Sequence, residues 1–461
     1  MRKSQTLECV SPIDGSVYAS RPVMTSVDAF ACVERARKAQ VEWSGRALSE
    51  RISLVQKAIE LLGQRNEAIV PQLAWQMGRP IRYGGEFGGV DERASAMARL
   101  AEESLAPIVV ENSDAFERRI ERLPHGVVLV VAPWNYPYMT AINTVVPALI
   151  AGNAVMLKHA TQTLLVGEHL SDVFHEAGIP KDVFQNLFLS HELTSELINK
   201  RAFGFVNFTG SIAGGRAMEL AAAGTFIPMG LELGGKDPGY VMEDADLGAA
   251  VDTLIDGAMF NSGQCCCGIE RIYVVESLFD DFVHKAVEIV SAYKLGNPLQ
   301  DETTLGPMAH ARFAEHVRQQ TNEAVKSGAK ALIDPGLFPE DDGAAYLAPQ
   351  LLVDVNHDMS IMREESFGPV VGIMKVSDDS QAIELMNDSH YGLTASLWTQ
   401  DAQRATDIGR KLETGTVFMN RCDYLDPALC WTGCKDTGRG AGLSVLGYQS
   451  VTRPKSFHLK K

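Results

Sequence analysis

The sequence predicts an α/β protein built on two parallel sheets, and three features carry that prediction. From about residue 126, short apolar runs alternate with stretches of helix length. A second series of the same kind begins near 236 and continues to about 419. Between them lies Leu231-Glu232-Leu233-Gly234-Gly235-Lys236, whose glycine pair suits a hinge between two domains. Strands alternating with helices imply parallel βαβ units covered by helices on both faces. Such sheets receive nucleotides at the carboxyl ends of their strands.

Taken in order, residues 1–22 read as an extended arm with turn punctuation at Ser11-Pro12-Ile13-Asp14-Gly15. Helices follow over 27–43 and 49–62; in the second, Ser49 can cap while Ile52, Val55, Ile59 and Leu62 share one face. Ile69, Leu73 and Met77 continue the helical pattern ahead of Gly78. Residues 126–157 include no charged side chain, but Pro133, Asn135, Pro137, Asn143, Pro147, Gly152 and Asn153 break any single spanning helix. The segment therefore reads as buried strand, loop, helix and strand. Further runs at 184–188 and 205–208 read as strands, and 163–177 as a helix between strands. In the second series 247–260 and 279–292 read as helices and 272–275 as a strand. Segments 115–123 and 451–459 read as exposed strands, the kind that pair with another subunit.

A chain of 461 residues, 46% hydrophobic, can bury a core large enough for more than one domain. Its net charge of -16 argues against general affinity for nucleic acid or anionic membrane, since phosphate binding needs an excess of Lys and Arg. No apolar run follows Met1-Arg2-Lys3-Ser4-Gln5-Thr6, so no secretory signal is expected. The eight cysteines form no CxxC pair and stand near no histidine at zinc-ligand spacing. Reduced thiols in a cytoplasm, with no metal, are the expectation.

Four stretches stand out chemically. Asn261-Ser262-Gly263-Gln264-Cys265-Cys266-Cys267-Gly268 holds either a nucleophile or a set of buried thiols. Pro133-Trp134-Asn135-Tyr136-Pro137 directly follows a buried strand, where an Asn is a turn residue or a side-chain donor. Phe208-Thr209-Gly210-Ser211-Ile212-Ala213-Gly214-Gly215 runs from a strand into a glycine-rich helix start that can hold a pyrophosphate, although it does not match GxGxxG. Glu232 is either a hinge carboxylate or a base.

In this order, and together with Glu364-Glu365-Ser366-Phe367-Gly368-Pro369 and Gly433-Cys434-Lys435-Asp436-Thr437-Gly438, these stretches resemble the aldehyde dehydrogenase superfamily over nearly the whole chain. The resemblance implies an aldehyde dehydrogenase-like α/β fold: two parallel-sheet Rossmann-type domains and a small β oligomerisation element. It implies a dinucleotide-binding domain over 1–108 and 124–235, a catalytic domain over 236–420, and an oligomerisation element from 109–123 and 445–461. Residues 421–444 would return to the cofactor domain and line the substrate tunnel. A homodimer or homotetramer is expected.

The implied activity is NAD- or NADP-dependent oxidation of an aldehyde to a carboxylic acid. Cys266 matches the family nucleophile, Glu232 its general base and Asn135 its oxyanion donor. Lys158 matches the contact to the adenosine ribose, Ser211 that to the pyrophosphate and Glu365 that to the nicotinamide ribose. Phe367 and Trp134 match the apolar lining beside it. Thr161 stands where NAD-preferring relatives carry a glutamate, which removes a charge that would repel the 2'-phosphate of NADP. Gly438-Arg439-Gly440-Ala441-Gly442 lacks the glutamate of many relatives, which puts a proton relay there in doubt.

By position Tyr136, Phe260, Tyr424, Leu425 and Trp431 are expected to line the substrate pocket, an apolar and aromatic ring that favours a medium-chain or aromatic aldehyde. Arg421 is the nearby cation that could instead receive the carboxylate of a semialdehyde. The alternative of a different class is a non-catalytic dinucleotide-binding protein.

Overall fold

The computed structural model describes residues 5–461; the first four residues of the expected arm lie outside the described residues. The arm is a hairpin, Thr6–Val10 against Val17–Pro22, closed by a turn in which Ser11 N–H donates to Ser16 O at 2.8 Å. Among the described residues, no helix is long and apolar enough to cross a membrane.

Two sheets organise the rest. The first has six strands in the order Gly438–Arg439, Met229–Glu232, Phe205–Thr209, Val127–Ala132, Ala154–His159 and Phe184–Asn186, parallel except for the first. The second has seven: Lys330–Ala331, Gln350–Val353, Val370–Val376, Ile269–Val275, Asp237–Val241, Thr394–Trp398 and Thr416–Met419, parallel except for Lys330–Ala331.

The unbroken apolar character of Val127–Ala132 follows from its central place. Val128, Val130 and Ala132 pack into a core with Val55, Ile59 and Tyr138, whereas Val127, Leu129 and Val131 pack into another with Ala29, Val33 and Leu197. Side chains alternate across a strand, so a strand covered on both faces must be apolar at every position. The second sheet is clad in the same way, with Tyr240 and Tyr273 on one face and Val241, Ile272 and Val274 on the other.

The uncharged segment resolves as expected into Val127–Ala132, the helix Pro137–Ile150 and Ala154–His159. One helical detail differs. The helix expected to begin at Ser49 spans Leu48–Gln64, and the residue before it, Ala47, makes no side-chain cap. Ser49 is already inside the first turn, so its hydroxyl does not serve as the cap. The long helix Phe87–Leu105 packs along Pro137–Ile150 with Val90, Ala94, Met97 and Ala101 buried.

A third sheet, antiparallel, orders Thr452–Lys460, Phe116–Pro124 and Ile108–Asn112, with Thr452 opposite Pro124 and Lys460 opposite Phe116. The two extremities expected to be exposed strands are thus partners within one chain. Ile108, Val109 and Val110 on the outer strand remain exposed.

Asn153 joins these parts. Its Oδ1 accepts from Gly126 N–H at 3.0 Å, and its Nδ2 donates to Ala148 O at 3.1 Å and Val451 O at 3.0 Å. The side chain is fully buried. Replacing it leaves the Gly126 N–H and the Val451 carbonyl without this partner, while Ala148 O keeps the backbone N–H of residue 153, so Asn153→Ala is expected to cost roughly 2–4 kcal/mol. A lowered urea midpoint with an unchanged denaturant slope is the measurement that checks it.

Candidate active site

The carboxyl ends of the first sheet converge on one region. Asn135 follows Val127–Ala132, Lys158 lies near the end of Ala154–His159, Ser211 follows Phe205–Thr209, and Glu232 ends its strand. That is where an open parallel sheet receives ligands.

Asn135 is held from two sides. Its backbone carbonyl accepts from Arg79 Nη2 at 2.6 Å and from Asn261 Nδ2 at 3.3 Å. Its own Nδ2 donates to Gln264 O at 3.2 Å, two residues before Cys266. Arg79 is itself fixed by a buried ion pair with Glu86 Oε1 at 2.8 Å. The other oxygen, Glu86 Oε2, accepts the N–H groups of Tyr138 and Met139 at 2.9 and 2.8 Å, satisfying the first turn of the helix that follows.

The cysteine stretch is presented by an unusual backbone. Asn261, Ser262 and Gly263 have φ of 54°, 56° and 69°, three left-handed residues in succession. Ser262 is the costly one, because serine rarely adopts this region. Its hydroxyl donates to Gly306 O at 2.8 Å. Gly263 is required for space as well, since a Cβ there would fall 2.2 Å from Gly368 O.

The three sulfurs lie within 4.8 Å of one another. Cys265 Sγ and Cys267 Sγ both donate to Asp423 Oδ1, at 3.1 and 3.0 Å. Burial holds the Asp423 carboxyl well above its ordinary range. Cys266 is the sulfur outside this sharing. The neighbouring side chains of Cys265 and Cys267 draw its pKa below the ordinary thiol value, against burial, while Cys267 is pushed up within the same cluster.

Glu232 Oε2 accepts the Thr209 hydroxyl at 3.1 Å. Burial raises its pKa to about 7, partly offset by the Thr209 bond and the Arg93 charge. The glutamate-free stretch near residue 442 lies against it, for a Cβ on Gly442 would come within 2.9 Å of Glu232 Oε1.

Cys266 and Glu232 open onto the same cavity of about 200 Å³. Tyr136, Met139, Phe260, Leu425 and Trp431 give it apolar and aromatic walls, and Thr209, Arg93, Asn143 and Asp423 supply the polar ones. Tyr424 is not among the lining residues, contrary to the expectation from its position. Asp423 has φ of 53°, which turns Asp423 and Leu425 toward the cavity and Tyr424 away. The Tyr424 hydroxyl donates to Glu92, and its ring lies 3.9 Å beneath the exposed Arg421 guanidinium. Arg421 is likewise off the cavity.

Sequence reasoning missed Arg93, Asp423 and the Arg79–Glu86 pair. Arg93 left a signal: it stands three residues after Val90 and four before Met97, a charge on the buried stripe of its helix.

The second sheet's side of the chain meets Trp134 outside the cavity lining. Trp134 stacks on Phe313 with ring centroids 5.1 Å apart and meets Phe367 edge-on at 5.5 Å. The Phe367 loop is pinned by Glu270, which accepts the N–H groups of Ser366 and Phe367 at 2.8 and 2.9 Å and pairs with buried Lys236 at 2.5 Å. Glu365 accepts Gly235 N–H at 3.1 Å, and burial raises its pKa to about 8. A Cβ at Gly234 would stand 2.1 Å from Glu365, so the glycine pair of the hinge serves close approach.

Several features fit a dinucleotide. Lys158 is 6% exposed and, among the described residues, makes no ion pair or hydrogen bond through Nζ; burial lowers its pKa. An ammonium at the end of a largely buried side chain, with no protein partner among the described residues, is placed to meet a polar ligand. Thr161 opens the turn just after it. Ser211 caps the helix Ile212–Ala222 by accepting Gly214 N–H at 3.2 Å, and the N–H groups of the first turn beyond it suit a phosphate.

Chemically, a sulfur of lowered pKa and a carboxylate near neutrality in one small cavity, with the Asn135 amide bound to the loop that carries the sulfur although it does not itself line the cavity, equip the protein for thiol attack on a carbonyl. Comparison with known sequences gives the class a narrower meaning. The profile of the Aldehyde dehydrogenase family matches residues 1–457, and the chain belongs to that family. It is 32% identical over 457 residues to a succinate-semialdehyde dehydrogenase (NADP+) of Deinococcus radiodurans, covering 98% of this chain and 95% of the relative. It is 32% identical over 461 residues to a vanillin dehydrogenase of Corynebacterium glutamicum, covering 98% and 94%. Among solved structures, succinic semialdehyde dehydrogenase from Streptococcus pyogenes, in complex with NADP+, superposes with a TM-score of 0.92 at 28% identity, covering 99% of this chain and 100% of that one.

The placement of two thiols beside Cys266 has a measurable consequence. In cofactor-free protein, alkylation of Cys266 should show a pH midpoint below that of an ordinary thiol. A Cys265→Ala/Cys267→Ala variant should raise that midpoint by about one unit or more. Rates of iodoacetamide labelling against pH, read by peptide mass, check it.

Proposed function

We propose that this protein oxidises an aldehyde to the corresponding carboxylic acid with NAD or NADP. The observation that carries the reading is that Cys266 and Glu232 line one cavity while Asn135 is bound to the loop bearing Cys266. Cys266 adds as thiolate to the carbonyl carbon, and the oxyanion so formed is stabilised by the Asn135 amide and the Cys266 backbone N–H. Bound NAD or NADP supplies the acceptor for the hydride that the thiohemiacetal carbon gives up. Glu232 then takes a proton from the water that attacks the Cys266 thioester, releasing the acid and restoring the thiolate.

Lys158, Thr161 and Ser211 would hold the adenosine and pyrophosphate portions, Glu365 the nicotinamide ribose, and Trp134 and Phe367 its apolar side. A neutral Thr161 beside Lys158 supports acceptance of NADP as well as NAD. The walls formed by Tyr136, Met139, Phe260, Leu425 and Trp431 support a substrate with an aliphatic or aromatic body. The cavity falls below the roughly 300 Å³ where drug-sized sites begin, which favours a short one. The outer strand Ile108–Asn112 supports assembly into a homodimer or homotetramer, which light scattering after size-exclusion chromatography would reveal.

Cys266→Ala is expected to abolish aldehyde-dependent formation of reduced nicotinamide while dinucleotide binding persists. Wild-type turnover in that variant would overturn the reading, and a wild-type protein that binds dinucleotide yet oxidises no aldehyde would favour a non-catalytic one. Glu232→Gln should lower steady-state turnover by on the order of 10²–10⁴-fold and leave an initial burst, because thiol attack precedes the step that needs the base. Below about pH 7 Glu232 carries a proton and cannot act as base, so wild-type turnover should rise with pH through about 7. Glu232→Gln should remove that limb.

A further inference from the structure

Arg93 is a buried cation that the chemistry above does not use. It projects from Phe87–Leu105 at 7% exposure, between Val90, Ala94 and Met97 of the core stripe. Its guanidinium makes one hydrogen bond among the described residues, Nη1 to Asn143 Oδ1 at 3.3 Å. Nε is enclosed without an acceptor, and among the described residues no carboxylate lies within ion-pair distance.

Other buried guanidiniums are provided for. Arg79 has Glu86, Asn261 and the Asn135 carbonyl, and Arg271 has the carbonyls of Lys236, Leu385 and Met386 with the Tyr273 hydroxyl. Burying a charge is costly unless paired or fully hydrogen-bonded, so Arg93 stands as an unmet demand for an anion. The nearby acids are engaged elsewhere: Glu232 with Thr209, and Asp423 with the flanking thiols.

Arg93 lines the cavity onto which Cys266 opens, and it is the only Lys, Arg or His among the described residues that does so. We propose that Arg93 receives the anionic end of the substrate, so that the aldehyde taken by this site carries a carboxylate a few carbons from its carbonyl. The inference rests on the aldehyde oxidation proposed above and adds the substrate class. A planar guanidinium whose Nη2 makes no hydrogen bond among the described residues suits a carboxylate, a group that guanidinium donors recognise through charge-assisted hydrogen bonds. The small cavity limits the spacer. The apolar walls then cover the carbon chain between the two ends, and the anion is kept from the thiolate and from Glu232 by having its own counter-charge.

The competing role for Arg93 is to act on Glu232, whose pKa its charge lowers. That role would alter turnover of charged and neutral aldehydes alike. The test compares 4-oxobutanoate with pentanal, a neutral aldehyde of similar length. Wild-type protein should prefer 4-oxobutanoate in kcat/KM. Arg93→Met should reduce the ratio of the two kcat/KM values by roughly 10–100-fold, chiefly through KM for 4-oxobutanoate, and Arg93→Lys should restore part of it. An unchanged ratio, or a wild type that prefers pentanal, overturns the proposal.

Glutarate, a dicarboxylate without an aldehyde, gives a readout independent of turnover and of whether the variants fold. It should raise the melting temperature of wild-type, cofactor-free protein, and pentanol should not. No shift with glutarate overturns the proposal. Glutarate binding without oxidation of any aldehyde would instead count against the aldehyde oxidation and leave the anion site standing.

Discussion

The ion pair between Arg79 and Glu86 is the constraint on which the site depends. It joins the end of one helix to the start of another, and through its remaining atoms reaches the Asn135 carbonyl, Asn261 and the first turn of Pro137–Ile150. Burying two charges gains little net stability, because desolvation offsets much of their attraction. What the pair provides is geometry: the amide donor and the thiol loop are positioned by one guanidinium. The other domain repeats the device with Lys236 and Glu270, whose carboxylate holds the backbone of Ser366 and Phe367. Each wall of the site thus hangs on a buried pair whose polar atoms are shared with loop backbone.

These pairs also explain how the left-handed run at Asn261–Gly263 is tolerated. Such a backbone is unfavourable alone and persists only where its surroundings determine it. Asn261 is held by Arg79 and by carbonyls, Ser262 by Gly306 O, and Gly263 by contact with Gly368. Relaxing any of them would shift Cys266 relative to Asn135, so local strain and catalytic geometry are tied together.

The parallel sheets were legible in the sequence because strands covered on both faces must be apolar, and Val127–Ala132 obeys that demand throughout while Ala154–His159 obeys it up to Lys158 at its carboxyl end. The stretches around Asn135, Glu232 and Cys266 were legible through a family resemblance that spans the chain. Residues placed by tertiary geometry were less so. Tyr424 was expected in the cavity because alternation cannot be read through a loop whose direction is set by a left-handed Asp423. Ser49 looked like a cap because helix starts are specified by neighbouring packing as well as by the capping residue. Asp423 gave no local sign of its role, since the thiols it serves lie more than 150 residues away. Arg93 was visible as a misplaced charge, but its meaning required the cavity.

The C-terminal segment has a bearing on how the protein is made. Leu425 and Trp431 close the cavity, Gly442 lies against Glu232, and Val451 and Thr452–Lys460 bind back to Asn153 and Phe116–Pro124. These residues leave the ribosome well after Cys266. During synthesis the reactive sulfur therefore has no finished enclosure around it until Leu425 and Trp431 have followed and packed against the cavity.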